Sequence, residues 1–501
     1  MYKTHLVLLT LLVTSCTVGP DYVRPVAPIT PQFKEQQGRA FVKAQDWKIA
    51  HPYDSVDKGE WWTLFHDARL NELENQLNHC NQNIANAVAN YYQACALVDE
   101  ARAGFFPTLA GILTISRQKQ GGGSSSFINS SPTSDQTTVG TVPGTGIGGS
   151  RIRNIYSAFL EANWEPDIWG LVRRTVEANT AGAQANKALL ASTRLSAQGS
   201  LAQFYFELRT LDRDQQLLNN TVKDYQQALK LTRNQYTSGV VSRADILQAQ
   251  TQLQSAQAQA INNGILRSQY EHAIAVLIGR PPAAFSLPFM PLNAHVPVIP
   301  VTIPSVWLER RPDIAQAERL MQQTNAQIGI AVAAYYPVLN LSASVTATAS
   351  NLSKLVSAPT LGWAYGLQLA NTFFDGGLRS ATVRAAQAGY MAQVASYRQT
   401  VLTAFQDVED NLVALRLLKE QGLVQNQAAA SAQQALQLIT NQYKAGTVPY
   451  SNVITAQITA YTAQKNSYDV VGLQMTAAVG LIKALGGSWK NNCAAKICLA
   501  T

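Results

Sequence analysis

The groups able to do chemistry in this chain are few and dispersed. Six histidines, His5, His51, His66, His79, His272 and His295, stand singly, and no His/Cys/carboxylate spacing of the kind that closes on a metal is present. His79 and Cys80 are adjacent, but neighbours on a helix point about 100° apart and do not converge on one ion. No glycine-rich phosphate loop and no nucleophile motif occurs. An enzyme is therefore not expected, nor a metal or a bound cofactor. The net charge is +8, yet lysine and arginine are scattered along Ala/Gln-rich segments without interleaved aromatics, which argues against nucleic acid as a partner.

One cysteine does stand in a reactive context. Lys3 supplies a positive start, Leu6 to Val13 an apolar run, and Val13-Thr14-Ser15-Cys16 resembles the bacterial lipobox, where signal cleavage leaves a cysteine acylated on its thiol and amine. Residues 1–15 read as a signal peptide and Cys16 as the lipidation site, with more than one acyl chain giving stable anchoring. The alternative is an ordinary signal peptide with an incidental cysteine. Thr17 follows in place of an acid, which for lipoproteins of this kind implies sorting to the outer membrane. Cys80 and Cys95 fall in a helical pattern, while pairing of Cys493 with Cys498 in an oxidising compartment is left open.

The elements that must position any site come in duplicate. Gln226 to Val241 recurs 207 residues later as Gln433 to Val448, with ten of sixteen positions identical, which points to a symmetric, elongated object. Proline-free amphipathic stretches run from Gly170 to Tyr236 and from Gly377 to Tyr443; as helices each would reach on the order of 100 Å. Each ends at a Tyr-x-x-Gly turn, Tyr236 to Gly239 and Tyr443 to Gly446, where glycine suits a left-handed cap. Returning helices are expected from about Ser242 to Ile278 and from Tyr450 to Leu485, making two antiparallel hairpins. Further helices are expected over Asp67 to Ala103 and Pro312 to Ala334, each ending just before a proline.

Four strands follow from alternation. Val338 to Ser350 sets Leu339, Leu341, Ala343, Val345 and Ala347 against Asn340, Ser342, Ser344, Thr346 and Thr348, and Leu361 to Ala370 alternates likewise. In the first half Leu109, Leu113 and Ile115 separate Thr108, Thr114 and Ser116, while Tyr156, Ala158, Leu160 and Trp164 interleave with Arg153, Ser157, Glu161 and Asn163. Strands of this length match a tilted membrane crossing. Four of them leave two open edges in lipid, so copies must associate until a barrel closes; eight or twelve strands satisfy this equally. A Gly/Ser/Thr-rich loop, Gly121 to Ser150, tips the first hairpin, and a short one, Asn351 to Thr360, tips the second.

Several motifs together resemble the TolC family of outer-membrane channels, and within it the OprM/NodT-type lipoprotein branch. They are Thr17 to Tyr22 with Arg24-Pro25, Trp61 to Phe65 with Asp67, Trp164-Glu165 with Asp167, Trp169, Gly170 and Arg173, and Glu309 to Ile314 with Ala317-Glu318. The resemblance implies a mixed α and β membrane protein: long α-helical hairpins forming a periplasmic α-barrel, plus four transmembrane strands per chain in a trimeric 12-stranded barrel. It implies a homotrimer, a periplasmic adaptor and an inner-membrane pump of the resistance-nodulation-division type. The function implied is a passive exit duct for small toxic compounds or drugs; a lipid-anchored stalk or a protein-secretion duct are the alternatives.

On this reading residues 16–66 are the anchored N-terminal segment, 67–280 the first repeat with its β-hairpin at about 107–165, and 281–306 a linker. The second repeat is 307–487, with its hairpin at about 337–374, and 488–501 is a tail. The resemblance assigns the periplasmic gate to Tyr236, Gly239, Asp245, Tyr443, Gly446, Asn452 and Thr455. Asp245 has two open readings, a weak electronegative ring or a helix-start residue held by the dipole. The second-half counterpart is Asn452, and Thr455 stands where a second acid can occur, so a strong acidic ring is not expected.

Overall fold

Two pairs of helices repeat each other residue for residue. In the computed structural model the described residues are 17–26, 34, 59–120, 151–292, 296–297 and 311–487. Cys16, the loop Gly121 to Ser150, Glu309, Arg310, Cys493 and Cys498 lie outside them. In chain order the elements are α1 (Ala68–Cys80), α2 (Gln82–Ala103), β1 (Thr108–Gln120), β2 (Arg151–Trp164), α3 (Leu171–Thr237) and α4 (Arg243–Leu277). The second half continues with α5 (Pro312–Ala333), β3 (Val338–Ala349), β4 (Leu361–Ala370), α6 (Leu378–Lys444) and α7 (Tyr450–Ala484). α3 and α6 have 67 residues each, and α4 and α7 have 35 each. No helix among the described residues is long and apolar enough to cross a membrane.

The stretch expected as one helix over Asp67 to Ala103 is two. Asn81 has ψ 124°, outside the helical range, and separates α1 from α2. Its side chain does two jobs at the break: Oδ1 accepts the Ile84 N–H at 3.0 Å, and Nδ2 donates to the Leu277 carbonyl at 2.7 Å. Asparagine is a strong helix-starting residue for this reason. The contact with the end of α4 is close, since a Cβ on Gly279 (φ +71°) would sit 2.3 Å from the Cys80 carbonyl oxygen.

The chain falls into two compact units that cut across the sequence repeats. One comprises Val98–Glu177 and Ala326–Ala386 with the chain up to Pro20; the other comprises Asp21–Leu97, Ala178–Asn325 and Gln387–Thr501.

The first unit holds the sheet. Its order is β1-β2-β3-β4, antiparallel throughout. Register, read across the strands, sorts the side chains by face. Leu109, Ala162, Ala343 and Tyr365 form one row, and Gly111, Leu160, Val345 and Trp363 the next. On the opposite face Thr108, Asn163, Ser342 and Gly366 align, as do Ala110, Glu161, Ser344 and Ala364. The alternation expected from sequence holds along these rows and is interrupted on the polar face where Ile112, Phe159, Thr346 and Gly362 align. Over β4 the apolar face is uncovered, with Trp363 and Tyr365 73% and 79% exposed and their rings stacked at 5.7 Å, whereas Ala347 and Ala349 of β3 are buried with Leu355. Among the described residues β1 and β4 are each paired on one side only.

Tryptophans brace the periphery of this sheet. Trp164 Nε1 donates to the Phe105 carbonyl at 3.0 Å, and Trp169 Nε1 donates to the Pro337 carbonyl at 2.8 Å while stacking on Tyr336. Asp167 caps α3 as its position suggests, accepting from the Val172 and Arg173 N–H groups and from Arg173 Nε, all at 3.0 Å. The chain just after Cys16 docks here as well. Val18 N–H donates to the Trp169 carbonyl, and buried Arg174 holds the Val18 and Gly19 carbonyls.

The second unit packs its core around Trp61, Leu70, Leu73, Leu77, Leu201 and Tyr205. Asp67 caps α1 and also accepts the Tyr205 hydroxyl at 2.6 Å. Three arginines anchor the connections. Arg209 and Arg267 flank the fully buried Asp212, which also accepts the Met290 N–H at 3.0 Å, so the chain leaving α4 is pinned back onto α3 and α4. Arg311, in the Arg-Pro-Asp motif, binds Asp313, Asp407 and the Ala484 carbonyl, and so ties α5 to α6 and α7.

Candidate functional site

The turns that end α3 and α6 share one backbone. In each, glycine is left-handed, Gly239 and Gly446 both at φ +75°. The Gly239 N–H bonds the Tyr236 carbonyl and the Val240 N–H the Gln235 carbonyl; Gly446 and Thr447 repeat this on Tyr443 and Gln442. This is the glycine-capped helix end that the Tyr-x-x-Gly spacing predicts.

Side chains make the two turns different. After the first turn, Ser242 and Asp245 form a reciprocal capping box, and both the Ser242 N–H, at 2.9 Å, and its hydroxyl, at 2.8 Å, donate to Asp245 Oδ2. The Asp245 carboxylate is thereby engaged at the start of its own helix. After the second turn Pro449 takes the capping position and no side chain bonds the helix start. Asn452 and Thr455 are exposed, and the Thr455 hydroxyl turns back to the Ser451 carbonyl.

The two tyrosines also part company. Tyr236 is 44% exposed, whereas Tyr443 is 7% exposed and packs with Leu229, Ala249, Tyr450 and Val453. The Tyr443 hydroxyl donates to Gln235 Oε1 of α3, its ring meets Tyr450 at 5.3 Å, and Thr232 is buried beside them with its hydroxyl on the Ala228 carbonyl. Burial pushes the Tyr450 phenol up to about 12 and raises that of Tyr443 too. Both stay neutral donors at any ordinary pH.

Of the residues assigned from sequence, the structure therefore brings Tyr443 into a cluster and leaves Tyr236, Asn452 and Thr455 at the surface. Thr232, Gln235 and Tyr450 join the cluster without having been singled out. A signal for Tyr450 did exist, since the repeat aligns it with Arg243, an exchange of charge for aromatic bulk. Below the turns an open groove of about 800 Å³ runs between α3 and the α6–α7 hairpin, lined by Tyr225, Tyr443, Tyr450, Tyr461 and Tyr468. Among the described residues no group of three or more His, Cys, Asp or Glu side chains is placed to hold a metal.

A two-faced sheet with free edges, joined in one chain to duplicated long hairpins, defines a class of outer-membrane channel proteins. The chain belongs to the outer membrane efflux protein family, whose sequence profile matches residues 73–280 and 303–487. It is 29% identical over 489 residues to the toluene efflux pump outer membrane protein TtgC of Pseudomonas putida, covering 96% of both chains. To the cation efflux system protein CusC of Escherichia coli O6:H1 it is 25% identical over 483 residues, covering 96% of this chain and 97% of that one. The solved outer-membrane channel OprN superposes with a TM-score of 0.79 at 25% identity, over 95% of this chain and 100% of that one. The chain is an outer-membrane efflux channel of mixed α and β fold.

Proposed function

We propose that three copies of the chain form the passive exit duct of a tripartite efflux system, delivering small toxic compounds from a periplasmic adaptor and inner-membrane pump to the exterior. The observation that carries this is the sheet: one face mainly apolar, the other mainly polar, and each edge strand paired on one side only among the described residues. Unpaired backbone groups in hydrocarbon cost several kcal/mol each, so β1 of one copy must meet β4 of another. Three copies give twelve strands enclosing a polar lumen. The relatives' names include toluene and cation efflux pumps, which fits a duct whose cargo is chosen by the pump, here of the resistance-nodulation-division type.

The remaining parts fall into place around that duct. Acyl chains on Cys16 anchor the chain to the membrane, and Val18 and Gly19, held by Arg174, fix where the anchor starts. The turns at Tyr236 to Gly239 and Tyr443 to Gly446 form the periplasmic gate. Its latch is the Tyr443 bond to Gln235, which joins the second hairpin to the first. Asp245, in its capping box, serves the helix start rather than a selectivity ring, and Asn452 and Thr455 contribute neutral groups. The chain supplies a path and no reaction.

Two measurements on the detergent-solubilised protein test this. The duct gives a heat-resistant trimer and ion conductance in planar bilayers, whereas a water-soluble monomer that conducts nothing would overturn it. Intact mass tests the lipid separately, since Cys16→Ala should lose the acyl mass.

A further inference from the structure

Away from the turns, α3 and α7 meet through a charged cluster that the gate does not use. Asp214 of α3 is 2% exposed, and its Oδ2 lies 3.2 Å from Lys465 Nζ of α7. The same Nζ is 2.6 Å from Asp469, one helical turn on. The other oxygen of Asp214, Oδ1, is buried and receives no donor. Sharing one ammonium brings the Asp469 and Asp214 carboxylates side by side. Glu207 on α3 adds a third negative charge facing Asp469 and is itself faced by Tyr270 of α4. Tyr461 of α7 also feels the Asp214 charge, and Arg213 is taken up over the Tyr468 ring at 4.5 Å.

One lysine therefore answers two carboxylates, with a third beside them. A buried acceptor with no donor beside a second carboxylate is the arrangement that a shared proton completes. We infer that Asp214 and Asp469, with Lys465 as counter-ion, form a proton-bound clasp that fastens α3 to α7 in acid and slackens toward neutral pH. The clasp spans the two hairpins, so any movement of one against the other has to break it; in this respect the inference rests on the duct reading.

The sign follows from linkage. Burial, and then the Asp469 charge, push the Asp214 carboxyl up to about 6 against the pull of Lys465. A group raised in the packed state adds stability that is full below its ordinary value and is lost as pH rises through the raised one. Above about pH 6 the proton leaves, Asp214 and Asp469 repel, and Lys465 alone holds the helices together.

Conductance of the full-length protein in planar bilayers, followed from about pH 4 to about pH 8, tests the clasp. The wild type should open through one step centred near pH 6. Asp214→Asn, which keeps a hydrogen bond and cannot ionise, should lose the step. Lys465→Met, which removes the charge that lowers Asp214, should move its midpoint to higher pH. A wild type without a step, a step that survives in Asp214→Asn, or a midpoint unmoved in Lys465→Met each overturns the inference. Silence in the bilayer at every pH would instead sink the duct reading. Infrared difference spectra between wild type and Asp214→Asn then decide the clasp alone: a protonated-carboxyl band that vanishes as pH passes 6 supports it, and absence of that band in acid refutes it.

Discussion

The turn after α3 and the turn after α6 share their backbone and differ in what holds them. The first is self-sufficient: Ser242 and Asp245 satisfy the start of α4 locally, and Tyr236 is left in solvent. The second has no local cap and is held from across the molecule, by Gln235 on the Tyr443 hydroxyl and by the packing of Tyr443 and Tyr450. Duplication thus supplies the same geometry twice, and divergence leaves one copy capped by its own residues and the other held by its neighbour. A part that depends on a neighbour is the part that a partner can release.

Substitutions at paired positions break or sharpen that contrast. The largest effect is expected at Tyr450→Ala, which empties a buried aromatic site and should cost about 3 kcal/mol or more. The aligned Arg243→Ala, at an exposed position, should stay within about 0.5 kcal/mol; hydrogen exchange at the amides around each turn reads both. Next comes Tyr443→Phe, which strips Gln235 of its donor and should weaken the contact by about 1 kcal/mol. It should raise the open probability in bilayers, while Tyr236→Phe does neither.

Asp245→Ala should cost about 1 kcal/mol through the lost capping box, with Asn452→Ala near zero. Unchanged ion selectivity in Asp245→Ala supports the capping role, and altered selectivity would restore the ring. Gly239→Ala and Gly446→Ala should be equal, at about 1 kcal/mol each. Both sit at φ +75° and a Cβ at either meets nothing within 4 Å, so only backbone strain is felt. Unequal costs would show that the turns differ in more than side chains.

A buried acid elsewhere offers a test by pH. Glu74 of α1 is fully buried, neither carboxylate oxygen has a partner, and burial holds its carboxyl well above the usual range. Its contribution is present in acid and lost as pH rises toward its raised value. Glu74→Leu should therefore flatten the decline of thermal stability between mildly acidic and neutral pH, and an unchanged slope would contradict this reading.

Much of this architecture was legible one residue at a time. Period-2 alternation over Val338 to Ala349 fixed which side chains share a face, because pleating leaves no other choice. The Tyr-x-x-Gly spacing fixed the helix ends, because only glycine takes φ +75° without strain. The break at Asn81 was not legible. An amphipathic pattern runs through it, and only the approach of Leu277, far along the chain, makes Asn81 more useful as a cap than as a helical residue.

The two turns divide in the same way. Sequence placed Tyr236 and Tyr443 at equivalent positions in a shared Asn-Gln-Tyr-x-x-Gly turn, which by itself carries no information about distant neighbours. Folding chose Tyr443, because α3 brings Gln235, Thr232 and Leu229 against it. The pairing of Asp214 with Lys465 has the same origin. Local rules set periods, caps and faces from the residues alone; which charges and rings meet depends on how long helices pack, and that is settled by the whole molecule.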